Sequence, residues 1–372
     1  MSFLNFDLSE PILKAVKEKG YINPTPIQQQ AIPAILSGKD ALGIAQTGSG
    51  KTAAFCIPVL QRLMQPSANR GIRALILTPT RELAIQIADN LTAYGKHLPF
   101  KNTTIYGGVS QHAQVQQLRR GVNILVVTPG RLMDLINQRL LSIKDLEVLV
   151  LDEADRMLDM GFIHDIKKII ALTPATRQNI FFSATMPKEI KGLVASLMKN
   201  PIEIKIEDTV KTQNNIHQSV YFVDRGSKQK LLKHIIVEHN MQDVLVFART
   251  KYGADRIVTN LIRAGISAEA FHGDKSQNAR VRALSNFKGK TTRVLVATDI
   301  AARGIDINNL SFVINYELPP SSETYTHRIG RTGRAGAKGA ALSLCDAEER
   351  GYLKNINRTS TKALEVIAHP FA

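Results

Sequence analysis

Short apolar runs, separated by stretches with helical spacing, recur along the whole chain. In the first half they are A-L-G-I at 41–44, R-A-L-I-L at 73–77, N-T-T-I-Y at 102–106, N-I-L-V-V at 123–127, V-L-V-L at 148–151 and N-I-F-F at 179–182. Runs this short that stay apolar instead of alternating suit strands covered on both faces. Between them the apolar positions shift to a spacing of three and four. Over Arg81–Tyr94, for example, Leu83, Ile87 and Leu91 share one side of a predicted helix. Strand and helix in alternation predict an α/β fold built on a mostly parallel, doubly wound sheet flanked by helices. The rhythm lapses near Lys205–His217 into polar, amide-rich sequence, then resumes with V-L-V-F at 244–247, S-A-E-A-F at 267–271, R-V-L-V-A at 293–297, F-V-I-N at 312–315 and A-A-L-S-L at 340–344. The expected organisation is a first domain over 1–205, a linker over 206–216 and a second domain over 217–372.

Length agrees with that division, because 372 residues exceed one ordinary α/β core. No apolar run approaches the roughly 18 residues of a membrane span. The N-terminal M-S-F-L-N-F-D-L-S-E has no basic segment leading into an apolar one, so a secretory signal is not expected and a cytoplasmic location is. Cys56 and Cys345 stand far apart in apolar surroundings and read as small buried residues of a reducing compartment. The nine histidines show no metal-ligand spacing. The net charge of +16 changes the picture most, since it calls for a polyanionic partner, and nucleic acid fits better than membrane in the absence of a basic amphipathic helix.

Two strings carry the chemistry of the first half. A-Q-T-G-S-G-K-T, Ala45 to Thr52, follows one apolar run, and D-E-A-D, Asp152 to Asp155, follows another. The first is a phosphate loop with Ala45 in place of the usual leading glycine. Thr47, Gly48, Ser49 and Gly50 offer backbone N–H groups to phosphate oxygens, Lys51 offers charge, and Thr52 offers a hydroxyl to Mg²⁺. Asp152 supplies the metal-binding carboxylate through water, and Glu153 stands where it can orient or deprotonate an attacking water. Asp155 either joins the site or caps the next helix. Upstream, in G-Y-I-N-P-T-P-I-Q, the Gln28 amide can both donate to and accept from adenine while Tyr21 stacks on the base, which makes 6–28 an adenine-recognition segment and ATP the expected nucleotide.

The second half has no phosphate loop but holds H-R-I-G-R-T-G-R at 327–334, which makes no sense as core and is oddly glycine-rich for plain surface, and where Arg331 and Arg334 are candidate fingers for a γ-phosphate. A-T-D-I-A-A-R-G-I-D, Ala297 to Asp306, follows a strand, and Asp306 is a candidate for the ribose hydroxyls. The remaining strings suit a phosphate backbone and not base edges: P-T-R-E-L with Thr80 and Arg81, Gly107–Gly108, T-P-G-R with Thr128 and Arg131, V-F-A-R-T with Thr250, H-G-D-K-S-Q-N-A-R with Gly273 and Arg280, and Thr298. Aromatic residues are only 6% of the chain and Trp is absent, so base stacking is not the main grip.

Taken in order, these strings with S-A-T at Ser183–Thr185 resemble the DEAD-box RNA helicases over nearly the whole chain, and D-E-A-D-R-M-L-D-M-G-F is similar to the bacterial RhlE-like branch. The resemblance implies two RecA-like domains that close over ATP and RNA, with Ser183 and Thr185 linking Asp155 to the second domain through His327. An alanine at position 45 is normal in that family. Many relatives carry a basic tail beyond the second domain, and these 372 residues stop before one. The implied activity is ATP-dependent, sequence-independent unwinding of short RNA duplexes. The alternatives are an ATP-gated RNA clamp that unwinds little and a DNA helicase or translocase of the same superfamily. Gripping and unwinding use the same residues, so strand displacement separates the clamp and DNA-stimulated hydrolysis separates the translocase.

Overall fold

Seven short strands of the first half align in parallel in the computed structural model, which describes residues 2–46, 48–69, 71–206, 215–302, 307, 310–333, 338–359 and 363–371. They are β1 (Ala41–Ile44), β2 (Ala74–Leu77), β3 (Asn102–Ile105), β4 (Ile124–Val127), β5 (Val148–Leu151), β6 (Gln178–Ser183) and β7 (Ile202–Lys205). Their order is β3-β4-β2-β5-β6-β1-β7 and every pairing is parallel. Alternate residues feed opposite faces: Ala74 and Ile76 join Phe55, Ile87, Leu91 and Phe182 on one side, while Leu75 and Leu77 join Leu132, Leu151, Met157 and Phe181 on the other. Double coverage is what the uninterrupted apolar runs require.

The covering helices are α1 (Glu10–Glu18), α2 (Pro26–Leu36), α3 (Lys51–Leu63), α4 (Arg81–Tyr94), α5 (Gln111–Arg119), α6 (Pro129–Asn137), α7 (Ala154–Asp159), α8 (Ile163–Ala171) and α9 (Lys188–Leu197). Helix α4 has the predicted bounds. Thr80 starts it by accepting from the Leu83 N–H at 3.3 Å, and Leu83, Ile87 and Leu91 are buried.

A second parallel sheet of the same form follows. Its strands are β8 (Ile216–Phe222), β9 (Val244–Ala248), β10 (Ala268–Phe271), β11 (Val294–Thr298), β12 (Phe312–Asn315), β13 (Gly339–Cys345) and β14 (Glu365–Val366), in the order β10-β11-β9-β12-β13-β8-β14. Around it lie α10 (Lys228–Glu238), α11 (Lys251–Arg263), α12 (Gln277–Lys288), α13 (Asp299–Ala302), α14 (Ser322–Ile329) and α15 (Arg350–Thr359). The chain divides into two compact units, Met1–Glu207 and Asp208–Ala372. Each has the doubly wound architecture expected of a RecA-like domain.

The polar stretch read as linker hides strand ends. Lys205 closes β7, and Ile216 and His217 open β8. Strand β7 is a sheet edge on which Ile204 is fully buried while Glu203 and Lys205 face solvent. Strand β8 buries Ser219 and ties Gln218 to the Tyr325 hydroxyl at 3.1 Å, so its polar residues conceal an interior strand.

Candidate active site

Neighbouring strands β5, β6 and β1 deliver three motifs to one stretch of the first sheet's C-terminal rim. Ile44 is in register with Ser183, and Leu151 with Phe181. After β1 the phosphate loop turns through Gly48 and Gly50, at φ 86° and 96°, into α3. A Cβ on Gly50 would stand 2.6 Å from the Gln28 Nε2 and 2.9 Å from the Thr25 Oγ1, so this position excludes side chains by conformation and by space. The loop is pinned from several sides. The Ala45 N–H donates to the Ser183 carbonyl at 3.0 Å, Ser49 Oγ donates to the Gln46 carbonyl at 2.8 Å, and the buried Lys51 Nζ donates to the Ala45 carbonyl at 2.7 Å. Thr52 sits half-buried in the first turn of α3. Thr47 lies outside the described residues.

Gln28, itself buried, closes this loop. Its Oε1 accepts from the Thr25 N–H at 3.0 Å, and its Nε2 donates to the Gly50 carbonyl at 3.1 Å. Tyr21 is packed rather than free: its ring stacks at 6.2 Å on Phe3, and its hydroxyl lies 3.1 Å from that of Tyr94.

At the end of β5, Asp152 and Glu153 are almost fully buried. Burial raises the Asp152 carboxyl to about 7, Lys51 opposes the rise, and Glu153 and Asp155 add to it. Glu153 adopts a left-handed conformation, φ 51°, and its carboxylate accepts from Arg156 one turn along α7. Sequence reasoning passed over Arg156, although its i+3 spacing was visible. A buried non-glycine residue held at positive φ is backbone that the surrounding structure must impose. Asp155 is no simple cap. Its Oδ2 accepts from the Ala184 N–H at 3.1 Å, the Thr185 N–H at 2.8 Å and the Thr185 Oγ at 3.0 Å, and Ser183 Oγ donates to the Thr185 carbonyl at 2.7 Å. The D-E-A-D and S-A-T strings are thus one hydrogen-bonded unit.

The other half of the same rim, β3-β4-β2, gathers the strings read as backbone binders. The Arg81 guanidinium lies against Gly108, where a Cβ would meet its Nη2 at 2.0 Å. Arg131 donates to the Val109 carbonyl at 3.2 Å and to Gln114 Oε1 at 3.3 Å, and Gln114 donates onward to the Tyr106 carbonyl at 3.0 Å. Thr80 and Thr128 open α4 and α6 and are buried. Gln114 went unnoticed in the sequence because a lone glutamine carries no spacing signal.

In the second unit, Thr250 caps α11 through the Gly253 N–H at 3.0 Å, Gly273 follows β10, and Thr298 ends β11. These too are adjacent strands, β10-β11-β9. Arg280 is buried, with its guanidinium 5.0 Å over the Phe271 ring. The H-R-I-G-R-T-G-R string is not expected in a core, yet Arg328, Ile329, Arg331 and Thr332 are all buried. Arg328 grips both Asp299 oxygens, at 2.6 and 2.7 Å, and reaches Asn315 and the Glu317 carbonyl. A guanidinium with four of its five donors met inside is a tie between α14, α13 and β12. His327 remains exposed on α14. Arg334 and Asp306 lie outside the described residues.

Sequence comparison places these sites in a family. A profile described as DEAD/DEAH box helicase matches residues 25–193, and one described as helicase conserved C-terminal domain matches residues 227–336. The chain is 44% identical over 370 residues to the RNA helicase CrhR of Synechocystis, covering 99% of this chain and 75% of that protein. It is 43% identical over 371 residues to the ATP-dependent RNA helicase DeaD of Buchnera aphidicola, covering 100% of this chain and 61% of that protein. Among solved structures, S. cerevisiae Dbp5 bound to RNA and ADP BeF3 superposes with a TM-score of 0.86 at 28% identity, over 98% of this chain and 95% of that one. Neither relative's name carries the finer resemblance to the RhlE-like branch. A matching profile in each unit and full-length identity above 40% leave one assignment: the chain belongs to the DEAD-box ATP-dependent RNA helicases.

Proposed function

We propose that the chain hydrolyses ATP in response to RNA and uses the cycle to separate short duplexes locally, without reading sequence. The observation that supports this best is the division of the first sheet's rim. Phosphate-loop, D-E-A-D and S-A-T strings occupy β5-β6-β1, and P-T-R-E-L, G-G and T-P-G-R strings occupy the adjoining β3-β4-β2. One rigid sheet carries both, so a strand gripped at one end is registered at the other.

The donor set fits ATP with Mg²⁺. The turn through Gly48 and Gly50 brings backbone N–H groups and Lys51 to phosphate oxygens. Thr52 and Asp152 offer the hard oxygen donors that Mg²⁺ takes, and a buried carboxyl crowded by Glu153 and Asp155 is relieved by a divalent cation. When bound, Mg²⁺ neutralises charge on the phosphates and ATP supplies the free energy of the cycle. Glu153, held by Arg156, orients and deprotonates the attacking water. Gln28 selects adenine by exchanging its bond to the Gly50 carbonyl for bonds to the base edge. Tyr21 acts from behind, bracing that segment against Tyr94. Arg331 and Arg334 meet the γ-phosphate when the units close, and Asp306 meets the ribose. His327 reports closure to Asp155 and Thr185.

RNA is held through its backbone by Thr80, Arg81, Gly108, Thr128 and Arg131 on the first unit and by Thr250, Gly273, Arg280 and Thr298 on the second. Both groups bend the strand along a path an A-form duplex does not follow, at a melting cost on the order of 1.4 kcal/mol per base-pair step, taking the DNA stacking mean. A 2′-OH contact distinguishes RNA from DNA. The test is the ATPase rate with no nucleic acid, single-stranded RNA, duplex RNA and matched DNA, beside multiple-turnover strand displacement. Equal stimulation by DNA overturns the RNA assignment, and stimulation without displacement makes the chain a clamp.

A further inference from the structure

Helix α15 packs through Leu353 and Ile356 into the cluster that holds Ile216, Val220, Tyr325 and Ile329. Its outer side carries Arg350, Lys354 and Arg358, all exposed. Four-residue spacing puts the three cations in one stripe, about 6 Å apart along the axis. Among the described residues, no carboxylate lies within ion-pair distance of any of them; the nearby exposed Glu348 pairs with Arg225 at 3.6 Å. The packing of the helix does not require this charge.

An aromatic ring stands beside the stripe. Phe222, the last residue of β8, is 36% exposed, and the Arg350 guanidinium lies 5.6 Å from its centroid. Together they line an open groove of about 600 Å³ with Leu353, Lys354, Asn357 and Arg358. The lining has three cations, one amide, two apolar side chains and no acid. A helical peptide needs a wider apolar trough than Phe222 and Leu353 offer. Spaced cations beside an exposed ring are the chemistry of single-stranded nucleic acid, phosphates on the stripe and a base on the ring.

Position agrees with that chemistry. Phe222 is in register with Cys345 at the C-terminal ends of β8 and β13, on the rim where Thr250, Gly273 and Thr298 stand. Three strand spacings separate β9 from β8 in the order β9-β12-β13-β8, or about 14 Å. We propose that Phe222 with Arg350, Lys354 and Arg358 forms an accessory site for single-stranded RNA, which extends the footprint of the second unit beyond the motif-borne grip. It rests on the RNA reading above and adds to it a second, non-motif contact.

The test uses the full chain with a non-hydrolysable ATP analogue and two oligouridylates, one short enough to fill the motif grip alone and one about twice as long. Anisotropy across a KCl series gives affinity and salt slope. The wild type is expected to bind the longer RNA more tightly and with a steeper slope. The triple variant Arg350→Gln, Lys354→Gln, Arg358→Gln should lose that gain and flatten the slope by about 2, at about 0.7 per phosphate on single strands. Phe222→Ala should weaken the longer RNA by roughly five- to a hundredfold, and Phe222→Leu should restore little of it. Binding of the short RNA, and the hydrolysis it stimulates, should be unchanged in every variant, which also reports intact folding. A triple variant that keeps both the length gain and the slope overturns the accessory site and leaves the groove to an acidic protein segment. A wild type that binds neither RNA fails earlier, at the helicase reading itself.

Discussion

Replacing Asp152 with asparagine should stabilise the protein when metal and nucleotide are absent, and by a margin that grows with pH. The carboxyl is 2% exposed, and burial, with Glu153 and Asp155 beside it, raises it from 3.8 to about 7 despite Lys51. The sign follows from proton binding. Between those two values the folded chain holds a proton that the unfolded chain has released, so folded-state stability falls as pH rises through that window and is level above it. At about 1.36 kcal/mol per pH unit, the full displacement is a ceiling of about 4 kcal/mol. Asparagine resembles the protonated acid at every pH and keeps an oxygen for the Glu153 N–H, which donates to Asp152 Oδ1 at 3.0 Å. The variant should therefore match the wild type near pH 4 or just below and exceed it increasingly up to about pH 7, keeping the full margin at pH 8. At roughly 2–4 °C per kcal/mol for a unit of about 200 residues, the gap should reach roughly 5–15 °C. Thermal unfolding followed by circular dichroism in EDTA across that range measures it, and ATPase assays should show that hydrolysis is lost. A gap that stays constant or narrows toward pH 8 refutes the argument, because it would mean that the buried carboxylate is already well accommodated without a cation.

Three other substitutions follow from the same geometry. Glu153→Gln should retain ATP and RNA binding while turnover falls by roughly 10²–10⁴, the usual worth of a general base, and near-wild-type turnover in a single-turnover assay would remove Glu153 from that role. Gln28→Ala deletes the bonds to the Thr25 N–H and the Gly50 carbonyl. It should cost about 1–3 kcal/mol in denaturant unfolding and let GTP compete with a fluorescent ATP analogue, and a wild type that GTP already competes with equally would refute adenine selection. Arg331→Ala should cut RNA-stimulated turnover by roughly 10³ or more while ATP affinity is retained. Because Arg331 is 7% exposed, the melting temperature must be measured alongside, and a loss of turnover that tracks a loss of folding would count against a finger.

Most of the sheet was legible because burial on both faces writes itself as apolar runs: the eleven expected strands all formed, nine of them interior strands of that kind and two, β3 and β10, edge strands read from mixed runs. The strands that escaped notice, β7, β8 and β14, lie at or next to the sheet edge on the β1 side and the β13 side. An edge strand such as I-E-I-K buries only alternate residues, and four residues give too little alternation to separate a strand from a polar connector. Strand β8 failed for another reason. Its early positions are His217, Gln218 and Ser219, of which His217 faces solvent, Gln218 is tied to Tyr325 and Ser219 is buried, and sequence does not tell these three situations apart. The arginine-rich string at 327–334 misled too, since an arginine such as Arg328 does not read as core until its four acceptors are assembled from Asp299, Asn315 and Glu317.

The motifs were legible as chemistry but not as connections, and the connections bear on mechanism. Lys51 is bonded to the Ala45 carbonyl, Gln28 to the Gly50 carbonyl and Ala45 to Ser183. Where a ligand contact proposed for Lys51 or Gln28 turns the side chain out of this geometry, it exchanges an internal hydrogen bond for the new one, and the net gain per exchange is small compared with the bond itself. What the exchange changes is the loop. Once Gln28 turns to adenine, the Gly50 carbonyl loses its side-chain partner at the head of α3, and once Lys51 turns to phosphate, the Ala45 carbonyl is released beside the strand that ends in Ser183. That residue donates to the Thr185 carbonyl and, through its hydroxyl, accepts from the Asp155 N–H at 3.3 Å. A path of hydrogen bonds thus runs from Gln28 through the phosphate loop and S-A-T to D-E-A-D. On the proposed reading, the site would sense its nucleotide along this path, by the partners given up as much as by those gained.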